Sequence, residues 1–215
     1  MKNRNFRTLK SLGQRQAGYT LVELAITVSI ISLLVVSSIA GVQGLLLANK
    51  VNRTLTQTTV ATASITKLIA ATNSSTLATA DLIKLGAWDT SALRNSGTTV
   101  ENPFAGIVQV ATNAGPVGSL APGSGYWYYI AGVPESHCAS LVTSFYTTSP
   151  GIYIQSQTSS TSSPVKLGET PDPKTPNGAG YRVPGKDDSL PNLTGACKSG
   201  TGPSGLVEVA LFIPT

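Results

Sequence analysis

The chain has 215 residues, 41% of them hydrophobic and 12% charged, with a formal net charge of +5; this length suits one globular domain with an appendage and excludes a large multidomain enzyme. Lys2, Arg4, Arg7, Lys10 and Arg15 supply the whole excess, because ten Lys and Arg stand against ten Asp and Glu from residue 19 onward. A neutral body has no electrostatic footprint for nucleic acid, so none is expected as a partner, and low charge with abundant Ser, Thr, Gly and Pro fits an extracellular structural protein better than a cytosolic enzyme.

The basic leader ends in the small pair Ala17-Gly18, and from Leu24 to Ala48 there is no charged residue. As a helix these residues rise about 37 Å, enough to cross a hydrocarbon core of about 30 Å. The positive-inside rule puts the N-terminus in the cytoplasm and the body outside. A secretory signal carries its small-residue cleavage site after the apolar core. Here the small pair precedes it, so a cut there removes the leader and keeps the helix. Glu23 sits at the apolar edge, where a carboxylate costs up to about 2.5–3.5 kcal/mol at mid-bilayer depth. Either a partner receives it or it tips into interfacial water. Gly41 and Gly44, in "AGVQGLL", each weaken a helix by about 1 kcal/mol relative to Ala; either the helix gives way there or the small residues serve close helix packing.

Val51, Leu55, Thr58, Thr62, Ile65 and Ile69 recur every three or four residues, predicting that the helix continues to about residue 72 with one apolar face. "NSSTLATADLIKLGAW" reads as a polar break, a short helix and a turn at Gly86. "NPFAGIVQVAT" starts with a turn at Asn102-Pro103 and runs into a strand over 106–111. "GYWYYIAG", 125–132, predicts a strand buried partly on both faces. "ESHCASLVTSFY" permits a short helix carrying Cys138 and burying Leu141, Val142 and Phe145, and "GIYIQSQ", 151–157, alternates as a strand. Residues 159–205 show little apolar periodicity and are expected to be irregular. "GLVEVALFIPT" closes as a strand whose Val207, Val209, Leu211 and Ile213 face packs on the helix.

Cys138 and Cys197 stand 59 positions apart with no CxxC pair, and His137 is the one histidine. A zinc site would lack ligands. An even cysteine count behind an export-like N-terminus points to one disulfide, worth roughly 4 kcal/mol on the chain-entropy model; the alternative is two separate buried thiols. The order of elements gives an α+β fold, a long helix on an antiparallel sheet with a disulfide-bounded loop region.

"GYTLVEL" behind a basic leader, with its glutamate fifth after the glycine, resembles the prepilin processing site of type IV pilins and pseudopilins. The resemblance implies that a prepilin peptidase cuts between Gly18 and Tyr19 and N-methylates Tyr19. It also implies that Glu23 pairs with the Tyr19 ammonium of a neighbouring subunit, a register device because misaligned helices would leave two charges unpaired. Tyr19, where one pilin branch carries Phe, points to the type IVb branch. "ENPFAGIVQV", "GVPESHCASLV" and the late Cys197 look like the body of type IVb pilins of enteric and conjugative thin pili, in which the segment between the cysteines is displayed on the filament surface. In these terms 1–18 is a leader, 19–49 the transmembrane and polymerisation helix, and 50–215 the head domain.

The implied role is a structural subunit, inserted in the inner membrane as a prepilin and then polymerised into an extracellular filament for adhesion, aggregation or conjugative contact. The implied partners are copies of itself, the peptidase, an assembly ATPase, an inner-membrane platform protein and an outer-membrane secretin. The alternatives are a type II secretion pseudopilin or a minor pilin, and a membrane-anchored adhesin that never polymerises. No catalytic residue, metal ligand or cofactor is expected. His137 and Cys138 are sequence neighbours whose side chains diverge on a helix. Glu169, Asp172, Asp187 and Asp188 are interspersed with Lys174, Arg182 and Lys186 and fit no EF-hand spacing. The glycines lack the GK[ST] tail of a phosphate loop.

Overall fold

A computed structural model describes residues 19–72, 78–112, 119–157, 181–182, 190–199 and 205–215. The expected leader, the polar break at 73–77 and the charges Glu169, Asp172, Asp187 and Asp188 lie outside the described residues. Helix α1 covers Leu21–Thr72, ending where the periodicity predicts. The chain divides into two compact units, Met1–Leu45 and Leu46–Thr215.

In the first unit every helical side chain that the structure describes is exposed. In the second, α1 buries Val51, Thr54, Thr58, Ala61 and Ile65, spaced three and four apart, while Leu55, Leu68 and Ile69 pack against the same cluster. Of the six periodic positions, Val51, Thr58 and Ile65 are buried and Leu55, Thr62 and Ile69 half-buried. Thr54 and Ala61 complete the stripe although hydropathy does not single them out. Thr54 is tolerated inside because its hydroxyl donates to the Lys50 carbonyl at 2.9 Å.

After α2 (Thr79–Lys84) the chain turns at Gly86, whose φ of +76° suits glycine. Asp89 caps a 3₁₀ turn, Thr90–Ala92. Its carboxylate accepts the Ser91 N–H at 2.8 Å, and this bond holds its pKa below the usual value. Strands β1 (Leu93–Arg94) and β2 (Thr99–Glu101) form a hairpin that the sequence reading does not contain. Strands β3 (Ile107–Thr112) and β4 (Gly125–Pro134), helix α3 (Glu135–Phe145) and strand β5 (Gly151–Gln157) lie where the pattern puts them.

The stretch 159–205 corrects its expectation of irregular chain. It contains strand β6 (Tyr181–Arg182) and helix α4 (Leu190–Ser199). Asn192, Thr194 and Gly195 lower the intrinsic helix propensity of this segment. Leu193, Ala196 and Cys197 nevertheless make a buried stripe, and packing of that face overrides propensity. Strand β7 (Leu206–Pro214) follows.

Among the described residues the strands form one antiparallel sheet in the order β1-β2-β3-β4-β7-β5-β6. Side-chain alternation divides its two faces. Tyr126, Tyr128 and Ile130 of β4, Val207, Val209 and Leu211 of β7, and Ile152 and Ile154 of β5 join α1, α3 and α4 in the main core. Trp127, Tyr129, Tyr153, Ala210 and Phe212 form a second cluster on the opposite face. Strand β4 is thus buried on both faces, as its aromatic run predicts, and β7 is too, beyond the single apolar face expected of it.

The Asn102-Pro103 turn is pinned to β4. Asn102 donates from Nδ2 to the Ala131 carbonyl at 2.7 Å, and its Oδ1 accepts the N–H groups of Phe104 and Gly106. β4 shifts register between Ile130 and Val133 here. A Cβ at Gly106 would lie 1.8 Å from the Ala131 carbonyl oxygen, so the turn can dock only with glycine at that place.

Burial pushes the phenols of Tyr126 and Tyr128 up to about 12. In the unfolded chain a tyrosine titrates near 10. Stability should therefore be independent of these groups below pH 10, fall between pH 10 and 12 as the unfolded state alone releases protons, and level off above that range. Unfolding midpoints in detergent across that window check it. Ile65→Ala, at a fully buried position, should cost about 2–5 kcal/mol, whereas Val60→Ala, 60% exposed on the same helix, should change stability by about 0.5 kcal/mol or less; denaturant titration of both variants checks the assigned face.

Candidate functional site

Tyr19 is 76% exposed and precedes α1 together with Thr20. The Thr20 carbonyl accepts the N–H of Leu24 at 3.1 Å, and Thr20 Oγ1 accepts the N–H of Glu23 at 3.3 Å. Thr20 is therefore the residue that caps the helix, and Glu23 is its third residue, the Thr-x-x-Glu spacing of a capping box. The cap satisfies one of the unpaired N–H groups at the helix start, and a carboxylate in the first turn faces the positive end of the helix dipole. In the sequence Thr20 stands out only as one letter of "GYTLVEL". Its physical signal, Thr three places before Glu at the start of an apolar run, was available.

Gly18 lies outside the described residues, so the cleavage position itself is not placed. In the uncut chain the Tyr19 nitrogen is a peptide nitrogen, and no ammonium exists for Glu23 to meet. The ion pairs among the described residues are Lys84–Asp81 and Arg94–Glu101; neither involves Glu23.

Beyond this cap the helix presents apolar surface, with Leu21 89% and Leu33 74% exposed. Its hydroxyls do not interrupt that surface. Thr27, Ser29, Ser32, Ser37 and Ser38 each donate to a carbonyl three or four residues back, at 2.7–3.0 Å, so they make no demand on a hydrocarbon environment. The helix is long and apolar enough to cross a membrane. A Cβ at Gly41 or Gly44 would meet nothing within 4 Å; no contact within the chain requires glycine there, and another helix could approach closely.

In the second unit, Cys138 of α3 and Cys197 of α4 are joined in a disulfide with Cα atoms 5.7 Å apart, both buried. This decides between the disulfide and two separate thiols. It also removes Cys138 as a partner for His137, whose Nδ1 lies 2.7 Å from Ser136 Oγ instead. Among the described residues no three His, Cys, Asp or Glu side chains gather to hold a metal. The polar contacts that the sequence did not reveal are structural: Trp88 Nε1 donates to Tyr128 Oη at 3.2 Å, and Tyr126 Oη donates to the Thr62 carbonyl at 3.2 Å, fastening α1 to the sheet. Thr20→Ala should destabilise the helix start by about 1 kcal/mol, read as roughly fivefold faster exchange of the Glu23 amide in detergent micelles, with Thr20→Ser close to wild type.

A family model described as the prokaryotic N-terminal methylation motif matches residues 13–39. No curated protein matches the chain. Among solved structures, the chain is similar to TcpA, a type IV pilin from Vibrio cholerae El Tor biotype, at 22% identity and a TM-score of 0.47, covering 77% of this chain and 97% of that one. It is likewise similar to the type IV b pilin from Salmonella typhi, at 16% identity and a TM-score of 0.48, covering 76% of this chain and 99% of that one. The match over 13–39 takes in the leader's last basic residue, Arg15, the Gly18-Tyr19 junction, the Thr20 cap, Glu23 and the first part of the apolar helix.

Proposed function

We propose that the chain is the structural subunit of a type IVb-like pilus. The observation that carries this is the methylation motif over 13–39, followed by an uncharged helix surface that no described residue covers. A prepilin peptidase cuts between Gly18 and Tyr19 and N-methylates Tyr19. The leader charge holds the N-terminus in the cytoplasm and the body outside, and 19–49 is the membrane and polymerisation helix. An assembly ATPase, a platform protein in the inner membrane and an outer-membrane secretin then move the subunit into an extracellular filament.

The physics of that transfer gives Glu23 its role. Lipid tails and the helices of other copies are about equally apolar, so moving the helix between them changes the hydrophobic term little. A charge pair can then decide. Cleavage creates an ammonium at Tyr19, and Glu23 of a neighbouring subunit receives it; a helix out of register leaves both charges unpaired in an apolar medium. Capping and pairing are separable, because glutamine also serves at the third position of a capping box but carries no charge.

Filaments sheared from cells should yield an N-methyl-Tyr19 peptide by mass spectrometry, and a mature N-terminus at any other residue would sink this assignment. Glu23→Gln should reduce filament yield as severely as Glu23→Ala, while membrane insertion and the Thr20 cap persist. Normal filaments from Glu23→Gln would mean that capping, not charge, is what the position supplies.

A further inference from the structure

A groove of about 610 Å³ lies along α1 between Lys50 and Ala61 and is walled on its other side by Trp88, Ser91 and Arg94. It falls wholly within the second unit. Three cations line it, Lys50, Arg53 and Arg94, and two carboxylates, Asp89 and Glu101. Both carboxylates are engaged away from α1. Glu101 lies 3.4 Å from Arg94 Nε, and Asp89 accepts the Ser91 N–H. Lys50 and Arg53 take part in neither of the ion pairs among the described residues, and both are exposed.

Their place in the chain gives these charges a meaning. Asn49 ends the uncharged run, so Lys50 follows it directly and Arg53 stands three residues further on. Leu46, one turn before Lys50, is 57% exposed. On a helix emerging from a bilayer, side chains just past the apolar run stand at the depth of the headgroup phosphates, and long cationic side chains reach toward them. A guanidinium meets phosphate oxygens in a bidentate fork while an ammonium serves as a compact point charge. Asn52, also lining the groove, adds a neutral amide donor.

We propose that this groove binds the phosphate of an anionic glycerophospholipid, with Lys50 and Arg53 as its ligands, while the subunit resides in the membrane. The proposal rests on the membrane-resident precursor described above. Lipid is favoured over an acidic segment of a second copy because Leu46, exposed one turn before Lys50 on the same helix, needs a lipid cover before any second copy arrives.

Native mass spectrometry of the full chain, released from nanodiscs of mixed phosphatidylglycerol and phosphatidylcholine, tests it. The chain should retain phosphatidylglycerol in preference to phosphatidylcholine. The double variant Lys50→Gln/Arg53→Gln should lower the retained fraction about tenfold or more, and Lys67→Gln/Lys84→Gln, which removes the same charge elsewhere, should leave it unchanged. Equal loss in both double variants, or no preference between the two lipids, overturns the proposal. Displacement of the lipid by inorganic phosphate at equal concentration overturns the lipid source in favour of a soluble anion. Lys50 protected from acylation only in filaments, with no lipid retained by the single subunit, overturns it in favour of a second copy. Alkaline extraction of membranes separates the two levels: a chain that washes out sinks the membrane reading and this proposal together, whereas one that stays but retains no phosphatidylglycerol sinks this proposal alone.

Discussion

Apolar surface on a helix needs a cover, and α1 meets that need in two ways along its length. From Val51 to Ile65 the cover is the chain's own sheet, in the main core with Tyr126, Tyr128 and Val209. From Leu21 to Leu46 the described side chains are exposed. Removing such side chains from water stabilises by about 25 cal/mol per Å², so lipid or other apolar helices suit them better than water. Everything proposed for the chain follows from that division. The Thr20 cap starts the uncovered part cleanly, and its back-bonded hydroxyls make no polar demand of their own.

This division was legible in the sequence to the extent that it rests on periodicity and charge. Absence of charge from Leu24 to Ala48 and the spacing of Val51, Thr58 and Ile65 placed the helix and its end. The strands β3, β4 and β5 and helix α3 were legible for the same reason, since alternation and helical spacing express burial directly. Thr54 and Ala61 escaped because small or hydroxylated residues are chosen by available space, which no hydropathy pattern records. The β1–β2 hairpin escaped because its short strands bury little beyond Val100. Its turn at Asn95-Ser96-Gly97, all at positive φ, was nonetheless the one local signal that turn chemistry could have supplied.

Helix α4 is the more instructive miss. Its residues favour other conformations, and its buried stripe contains only Leu193, Ala196 and Cys197. Cysteine counts as apolar surface there and as a covalent link at once, so a search for aliphatic spacing undervalues it. The candidate site divides likewise. Glu23 and Tyr19 could be marked from the motif, whereas the groove beside Lys50 and Arg53 arises from residues about forty positions apart in sequence, brought together by the fold.

The sheet order carries a consequence for export. β7, which follows both β4 and β5 in the chain, pairs between them over most of its length. If the body is exported as proposed, then until residues 206–214 have crossed the membrane β4 and β5 have no strand between them, and both cores lack one wall. A chain delivered from its N-terminal end therefore reaches the far side of the membrane with an open sheet that holds two bare strand edges, a configuration prone to pairing with other chains. In the proposed export, arrival of β7 between β4 and β5 is thus the step that removes both bare edges and completes the walls of the two cores.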